Sequence, residues 1–127
     1  LAPGVYKSDS GTFNISNGNL TLDAQGDPNA VWVFQTASGL TVGIAGPTGA
    51  KSVTLINGAL PKNVFWYVGS SAVINGAGGG TMVGTIIANS GVTLSTAGNT
   101  VQTVLNGRAI SLISSVTMVN TTINVPQ

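Results

Sequence analysis

The sequence predicts an all-β chain wound as a solenoid in which each coil gives one strand to each of three faces. Three observations lead there. Apolar residues alternate in short runs bounded by Gly, Asn, Ser or Pro, and no stretch sets apolar positions at helical spacing with caps. The runs group in threes, a long apolar strand, a short Thr-centred strand and a third strand before a loop, at roughly 24 to 33 residues per turn, the scale of repeat architectures. The first strand of a group is apolar at consecutive positions, as in Val31-Trp32-Val33-Phe34, Val64-Phe65-Trp66-Tyr67-Val68 and Ile86-Ile87-Ala88, the pattern of a strand covered on both sides.

In chain order, the first coil reads as strands over residues 5–7, 12–15 and 20–23, with Phe13-Asn14-Ile15 and Leu20-Thr21-Leu22 each setting a polar residue between apolar neighbours. The second takes residues 31–35, 40–42 and 52–56, opening after Asp27-Pro28 and closing on Val53-Thr54-Leu55. The third takes 64–68, 72–74 and 81–83, the last two separated by the glycine loop Gly76-Ala77-Gly78-Gly79-Gly80. The fourth takes 85–88, 92–94 and 101–105, and the fifth 109–112, 116–118 and 122–125. Antiparallel hairpins remain an alternative, since Asn17-Gly18, Asn57-Gly58, Asn75-Gly76 and Asn106-Gly107 have the chemistry of two-residue hairpin turns.

Composition narrows the function classes. The 127 residues suit one domain. Four cations (Lys7, Lys51, Lys62, Arg108) face three anions (Asp9, Asp23, Asp27), leaving 6% charged residues against about a quarter in ordinary domains. Scattered cations argue against nucleic acid and anionic membranes as partners, because each neutralised phosphate needs one. A 43% hydrophobic content exceeds what disordered segments carry. Cysteine is absent, so thiolate chemistry and disulfides are excluded. No apolar run approaches the ~20 residues of a membrane-spanning helix. No signal peptide is recognised at the start, where Leu1-Ala-Pro-Gly-Val-Tyr reads as a structured segment.

Catalysis is poorly served: without His or Cys, the acid–base candidates are three Asp and two Tyr. Asp23-Ala-Gln-Gly-Asp27 lacks the ligand density of a calcium loop and reads as turn chemistry, with carboxylates bonding local amides. Gly76 to Gly80 reads as a loop, since no Lys follows to complete a phosphate cradle. Arg108 is assigned a structural role, bonding backbone carbonyls or an Asp. No cofactor or metal is implied. Trp32 and Trp66 would offer a sugar-stacking platform if exposed, but burial under a lid explains them more simply.

Four ordered motifs, Leu1-Ala-Pro-Gly-Val-Tyr-Lys7, Gly26-Asp-Pro-Asn-Ala-Val-Trp-Val-Phe-Gln35, Asn63-Val-Phe-Trp-Tyr-Val-Gly69 and Leu105-Asn-Gly-Arg-Ala109, resemble the microbial ice-binding protein family with the discontinuous β-solenoid fold. The resemblance covers essentially the whole chain. It implies a right-handed, roughly triangular solenoid, a long α-helix along one face and an exposed flat face that binds ice. In the family, the helix and several strands precede the Leu-x-Pro-Gly-x-Tyr motif, so residues 1–127 are expected to be the C-terminal part of the domain, with the helix-bearing lid supplied from outside them. Trp32, Phe34, Phe65 and Tyr67 are the residues expected beneath it. Secretion, ice as partner and inhibition of ice growth and recrystallisation are implied with the family, and a cell-surface adhesion or carbohydrate-binding module is the alternative.

The short second strands carry the site expectation. In Phe13-Asn14-Ile15, Leu40-Thr41-Val42, Ala72-Val73-Ile74, Val92-Thr93-Leu94 and Val116-Thr117-Met118, the middle residue points outward and its apolar neighbours inward. The outward column is Asn14, Thr41, Val73, Thr93 and Thr117, and Ser95 and Thr96 extend its fourth row. Thr96-Ala97-Gly98-Asn99 is similar to the Thr-(Ala/Gly)-x-(Thr/Asn) tetrad associated with the ice-binding face in some family members. A rival column, Thr21, Thr54, Thr103 and Thr122, runs along the third strands, and composition alone does not choose between them, Thr being common on exposed strand positions. Asn14-Ile-Ser16, Asn19-Leu-Thr21 and Asn120-Thr-Thr122 fit the glycosylation sequon and read as chance matches in an Asn- and Thr-rich chain.

Overall fold

The computed structural model describes residues 1–46, 48–76, 78–95 and 101–126. Among them the chain forms thirteen strands and one 3₁₀ turn over Pro61–Asn63, with no α-helix. Every strand pairing is parallel, which excludes the hairpin alternative. Asn57-Gly58 does turn the chain, both residues having positive φ, but it leads from one parallel strand into the 3₁₀ turn.

The strands are β1 (Gly4–Lys7), β2 (Phe13–Ile15), β3 (Leu20–Asp23), β4 (Trp32–Thr36), β5 (Leu40–Val42), β6 (Val53–Ile56), β7 (Val64–Val68), β8 (Ser71–Asn75), β9 (Thr81–Ala88), β10 (Gly91–Ser95), β11 (Thr103–Ser111), β12 (Val116–Val119) and β13 (Thr121–Asn124). They assemble as a six-stranded sheet β1-β4-β7-β9-β11-β13, a five-stranded sheet β12-β10-β8-β5-β2 and the pair β3-β6. Successive first strands thus lie side by side in one sheet and successive second strands in another, the stacking of a solenoid.

The third strands depart from expectation. Residues 81–83 and 85–88 form the single strand β9, and residues 103–111 bridge the expected 101–105 and 109–112 as β11. Gly84 and Gly107 face each other across this pair. A Cβ on Gly107 would lie 1.9 Å from the Gly84 carbonyl oxygen, and one on Gly84 2.7 Å from that of Val64. Two backbones this close leave no room for a side chain between them, and only glycine admits the contact inside a continuous strand.

The core is the inward register of all the sheets. Trp32 and Phe34 of β4, Val64, Trp66 and Val68 of β7, and Met82, Ile86 and Ala88 of β9 meet Leu40, Val42, Ala72, Ile74, Val92 and Leu94 from the second strands, all buried. An aromatic stack runs through it, with ring centroids 5.6 Å apart for Tyr6–Phe34 and 4.1 Å for Phe34–Trp66. Trp66 Nε1 donates to the Val83 carbonyl at 2.8 Å, giving the buried indole the partner it needs.

Trp32 and Phe34 are therefore interior residues and do not lie beneath a lid. Their strand neighbours Val33, Phe65 and Tyr67 take the outer side of the six-stranded sheet, where Val5 pairs with Val33 and Val33 with Phe65, while Gln35 pairs with Tyr67 and Tyr67 with Ile87. Tyr67 is 44% exposed, and a groove of about 500 Å³ lies over this side, lined in part by Lys7, Tyr67, Ile87 and Leu112.

Candidate functional site

The outer side of the five-stranded sheet is built by alternation. In β5, β8 and β10, Leu40 and Val42, Ala72 and Ile74, and Val92 and Leu94 are buried, which turns Thr41, Val73 and Thr93 outward. Register then aligns them: Asn14 pairs with Thr41, Thr41 with Val73, Val73 with Thr93, and Thr93 with Thr117. The expected column forms one unbroken row across the sheet. Asn14 and Thr117 on the edge strands are exposed, and Thr41, Val73 and Thr93 are half-buried by their neighbours.

Two residues before this row the chain carries Thr12, Gly39, Ser71, Gly91 and Ser115. The ladder continues through them, with the Phe13 amide donating to the Gly39 carbonyl at 3.0 Å and the Val92 amide to that of Ser115 at 3.2 Å. None of these positions holds a charged or aromatic residue. Small side chains beside a Thr row leave a surface of low relief. A Thr presents a methyl and a hydroxyl on a stiff β-branched stem, and strands repeat that pair every ~4.8 Å.

Ser95 ends β10 beside Asn75 and Val119. Thr96 and the tetrad 96–99 lie outside the described residues. At the edge of the sheet, Val116 and Met118 were expected to face the core, but all of β12 is exposed, Met118 by 51%, because among the described residues no further strand pairs with β12 on its other side.

Asn75 belongs to this region and was not anticipated. Its Nδ2 donates to the Gly43 carbonyl at 3.3 Å, tying β8 to the neck of the loop that leaves β5. That neck is tight: the Ile44 amide donates to Gly49 at 2.8 Å, and a Cβ on Gly43 would meet the Asn75 carbonyl oxygen at 2.5 Å. The Asn75-Gly76 pair was read only for turn chemistry, whereas its register beside Ser95 marks it as the margin of this sheet.

The rival Thr column does not form. Thr21 pairs with Thr54 and both are exposed, but Thr103 is fully buried and Thr122 pairs with Val104. Thr103 shares strand parity with the inward Leu105, whereas Thr21 and Thr54 sit between inward residues.

The polar residues read as structural do local bonding. Asp23 accepts the Asn57 side-chain amide at 2.9 Å and the Gln25 backbone amide at 2.8 Å, bonds that hold its carboxyl below its ordinary value. Asp27 accepts the Asn29 amide at 2.8 Å, and Arg108 donates to the Pro126 carbonyl at 3.2 Å. Among the described residues no group of three metal-ligating side chains occurs. Trp32 and Trp66 are buried, so the sugar platform they would have offered is not presented.

The family model described as Ice-binding-like matches residues 1–124. The chain belongs to that family. An ice-binding-like relative, the ice-binding protein of Nostoc sp., is 42% identical over 119 residues, covering 93% of this chain and 39% of the relative. The ice-binding protein of Flavobacterium frigoris is 31% identical over 127 residues, covering 100% of this chain and 40% of the relative. A solved ice-binding protein from an Antarctic biological consortium superposes with a TM-score of 0.86 at 37% identity, covering 100% of this chain and 51% of that one. The chain therefore spans about two-fifths of these relatives and half of the solved ice-binding chain, and its β-solenoid fold is that of the family.

Proposed function

We propose that this chain adsorbs to ice through the outer side of its five-stranded sheet, with Asn14, Thr41, Val73, Thr93, Ser95, Thr96 and Thr117 as contact residues. The observation that carries the reading is the unbroken in-register row from Asn14 to Thr117 on a surface without charge. Row spacing of ~4.8 Å is on the scale of oxygen spacings in ice, so the hydroxyls and methyls order water into a layer that merges with the lattice. Ionic side chains would hold water in orientations the lattice rejects. Growth then stops between adsorbed molecules, because curved ice fronts melt at lower temperature.

The relatives named above are ice-binding proteins, which supports ice as the partner and a binding role in place of a catalytic one. The reading includes a right-handed winding with three faces, a secreted protein, and residues 1–127 as the C-terminal part of a larger domain. A helix-bearing segment would then cover Val33, Phe65, Tyr67 and Ile87. Ice-affinity partitioning tests the function: the chain is expected to concentrate in a slowly grown ice hemisphere while a co-dissolved protein of similar size stays in the liquid. Equal exclusion of both would overturn the reading.

A further inference from the structure

Four Asn-Gly pairs occur in the chain, at 17–18, 57–58, 75–76 and 106–107, and the fold treats them differently. We propose that Asn17 is a site of spontaneous deamidation, and that the folded structure protects the other three. In this reaction the Gly18 amide nitrogen attacks Asn17 Cγ, a C–N bond forms and ammonia leaves, giving a cyclic succinimide. Water then opens the ring to aspartate or isoaspartate. No oxidant or cofactor enters. The step needs an amide nitrogen free of hydrogen bonds, an Asn side chain free to rotate onto it, and room for the ring.

Asn17-Gly18 meets all three requirements. Both residues are exposed and lie between β2 and β3. Among the described residues neither the Asn17 side chain nor the Gly18 amide has a hydrogen-bond partner, and a Cβ built on Gly18 meets nothing within 4 Å. Glycine also leaves its nitrogen unshielded and its backbone free to turn.

Each of the other pairs lacks at least one requirement. Asn75 Nδ2 is bound to the Gly43 carbonyl and the Gly76 amide donates to Ser95 at 2.8 Å, while Gly76 is packed against Thr103. Asn106-Gly107 lies inside β11, with Asn106 Oδ1 accepting from Asn124 at 3.0 Å and Gly107 pressed on Gly84. Asn57 Nδ2 is held by Asp23 at 2.9 Å, and conversion to aspartate there would set two carboxylates together.

The consequence for activity rests on the ice-contact reading above. Asn17 lies two residues beyond β2, at a corner of the uncharged sheet, so deamidation puts a carboxylate beside a surface that has none.

The test incubates the full chain, folded, at mildly alkaline pH in oxygen-18 water, with a urea-unfolded sample alongside. Peptide mass spectrometry then locates the labelled carboxyl. Label is expected to enter at Asn17 several-fold faster than at Asn57, Asn75 or Asn106 in the folded sample, and at comparable rates at all four in urea. Equal or faster labelling at any of the other three in the folded state, or no labelling at Asn17 there, would overturn the proposal. Asn17→Gln should abolish the folded-state label. Hysteresis of Asn17→Asp is read separately against Thr93→Tyr: full activity of Asn17→Asp beside loss in Thr93→Tyr removes the functional consequence and leaves both the chemistry and the ice face standing, whereas full activity in both removes the ice face and the functional consequence with it, and leaves the chemistry standing.

Discussion

The hydroxyl of Thr103 is buried with no hydrogen-bond partner among the described residues, pressed against Gly76, where a Cβ would lie 1.9 Å from Oγ1. A buried unpaired hydroxyl costs stability, whereas a methyl in its place costs nothing in hydration. Thr103→Val is thus expected to raise stability by about 1 kcal/mol, measured by urea denaturation; a loss of stability would mean that the hydroxyl is partnered. The same residue shows where sequence reading went astray. Counting Thr residues placed Thr103 in an outward column, although its parity with Leu105 already pointed it inward. Trp32 and Phe34 were less legible, because in a run of consecutive apolar residues either register buries something. Only the pairing of Phe34 with Trp66, stacked within the core, fixes which side is which.

At the scale of elements, the second strands were legible except at the end of the stack, where Val116 and Met118 of β12 are exposed. A short strand with one polar residue between two apolar ones has a single stable orientation; four of the second strands follow that pattern, and parallel register aligns Val73 of β8 with them in the row Asn14 to Thr117. The third strands were not, because a glycine in a strand pattern reads as a break. Gly84 and Gly107 instead lie inside continuous strands, where two backbones touch. Gly107→Ala is expected to cost at least ~3 kcal/mol or to prevent folding, since the added carbon overlaps the Gly84 carbonyl and neither backbone is free to move within its ladder. A melting temperature within a few degrees of the parent would refute this close backbone contact.

Over the whole molecule, the three sheets surround one core, and two apolar surfaces remain in view: the outer side of the six-stranded sheet and the end of the stack at β12. Fully burying a large apolar side chain is worth ~1.5–3 kcal/mol, so a surface on which Tyr67 is exposed and Val33, Phe65 and Ile87 are half-buried leaves a sizeable fraction of a small domain's stability to be gained by covering it. The 127 residues alone are expected to bind a hydrophobic dye or self-associate, and a longer form bearing a helix-bearing segment to do neither. A monomeric, dye-silent, cooperatively unfolding 127-residue chain would show that no lid is needed.

The central claim, that the row through Thr41 and Thr93 meets ice, is tested most directly by thermal hysteresis of Thr93→Tyr beside Thr54→Tyr. Both threonines point outward, Thr93 between Val73 and Thr117 and Thr54 beside Thr21, so each substitution should change stability by only about half a kcal/mol, with melting curves as the check. A ring standing off the Thr93 row lifts its neighbours from the crystal, and hysteresis is expected to fall sharply, while Thr54→Tyr retains it nearly in full. Loss in Thr54→Tyr with activity kept in Thr93→Tyr would contradict the account and move the ice surface to the β3-β6 pair.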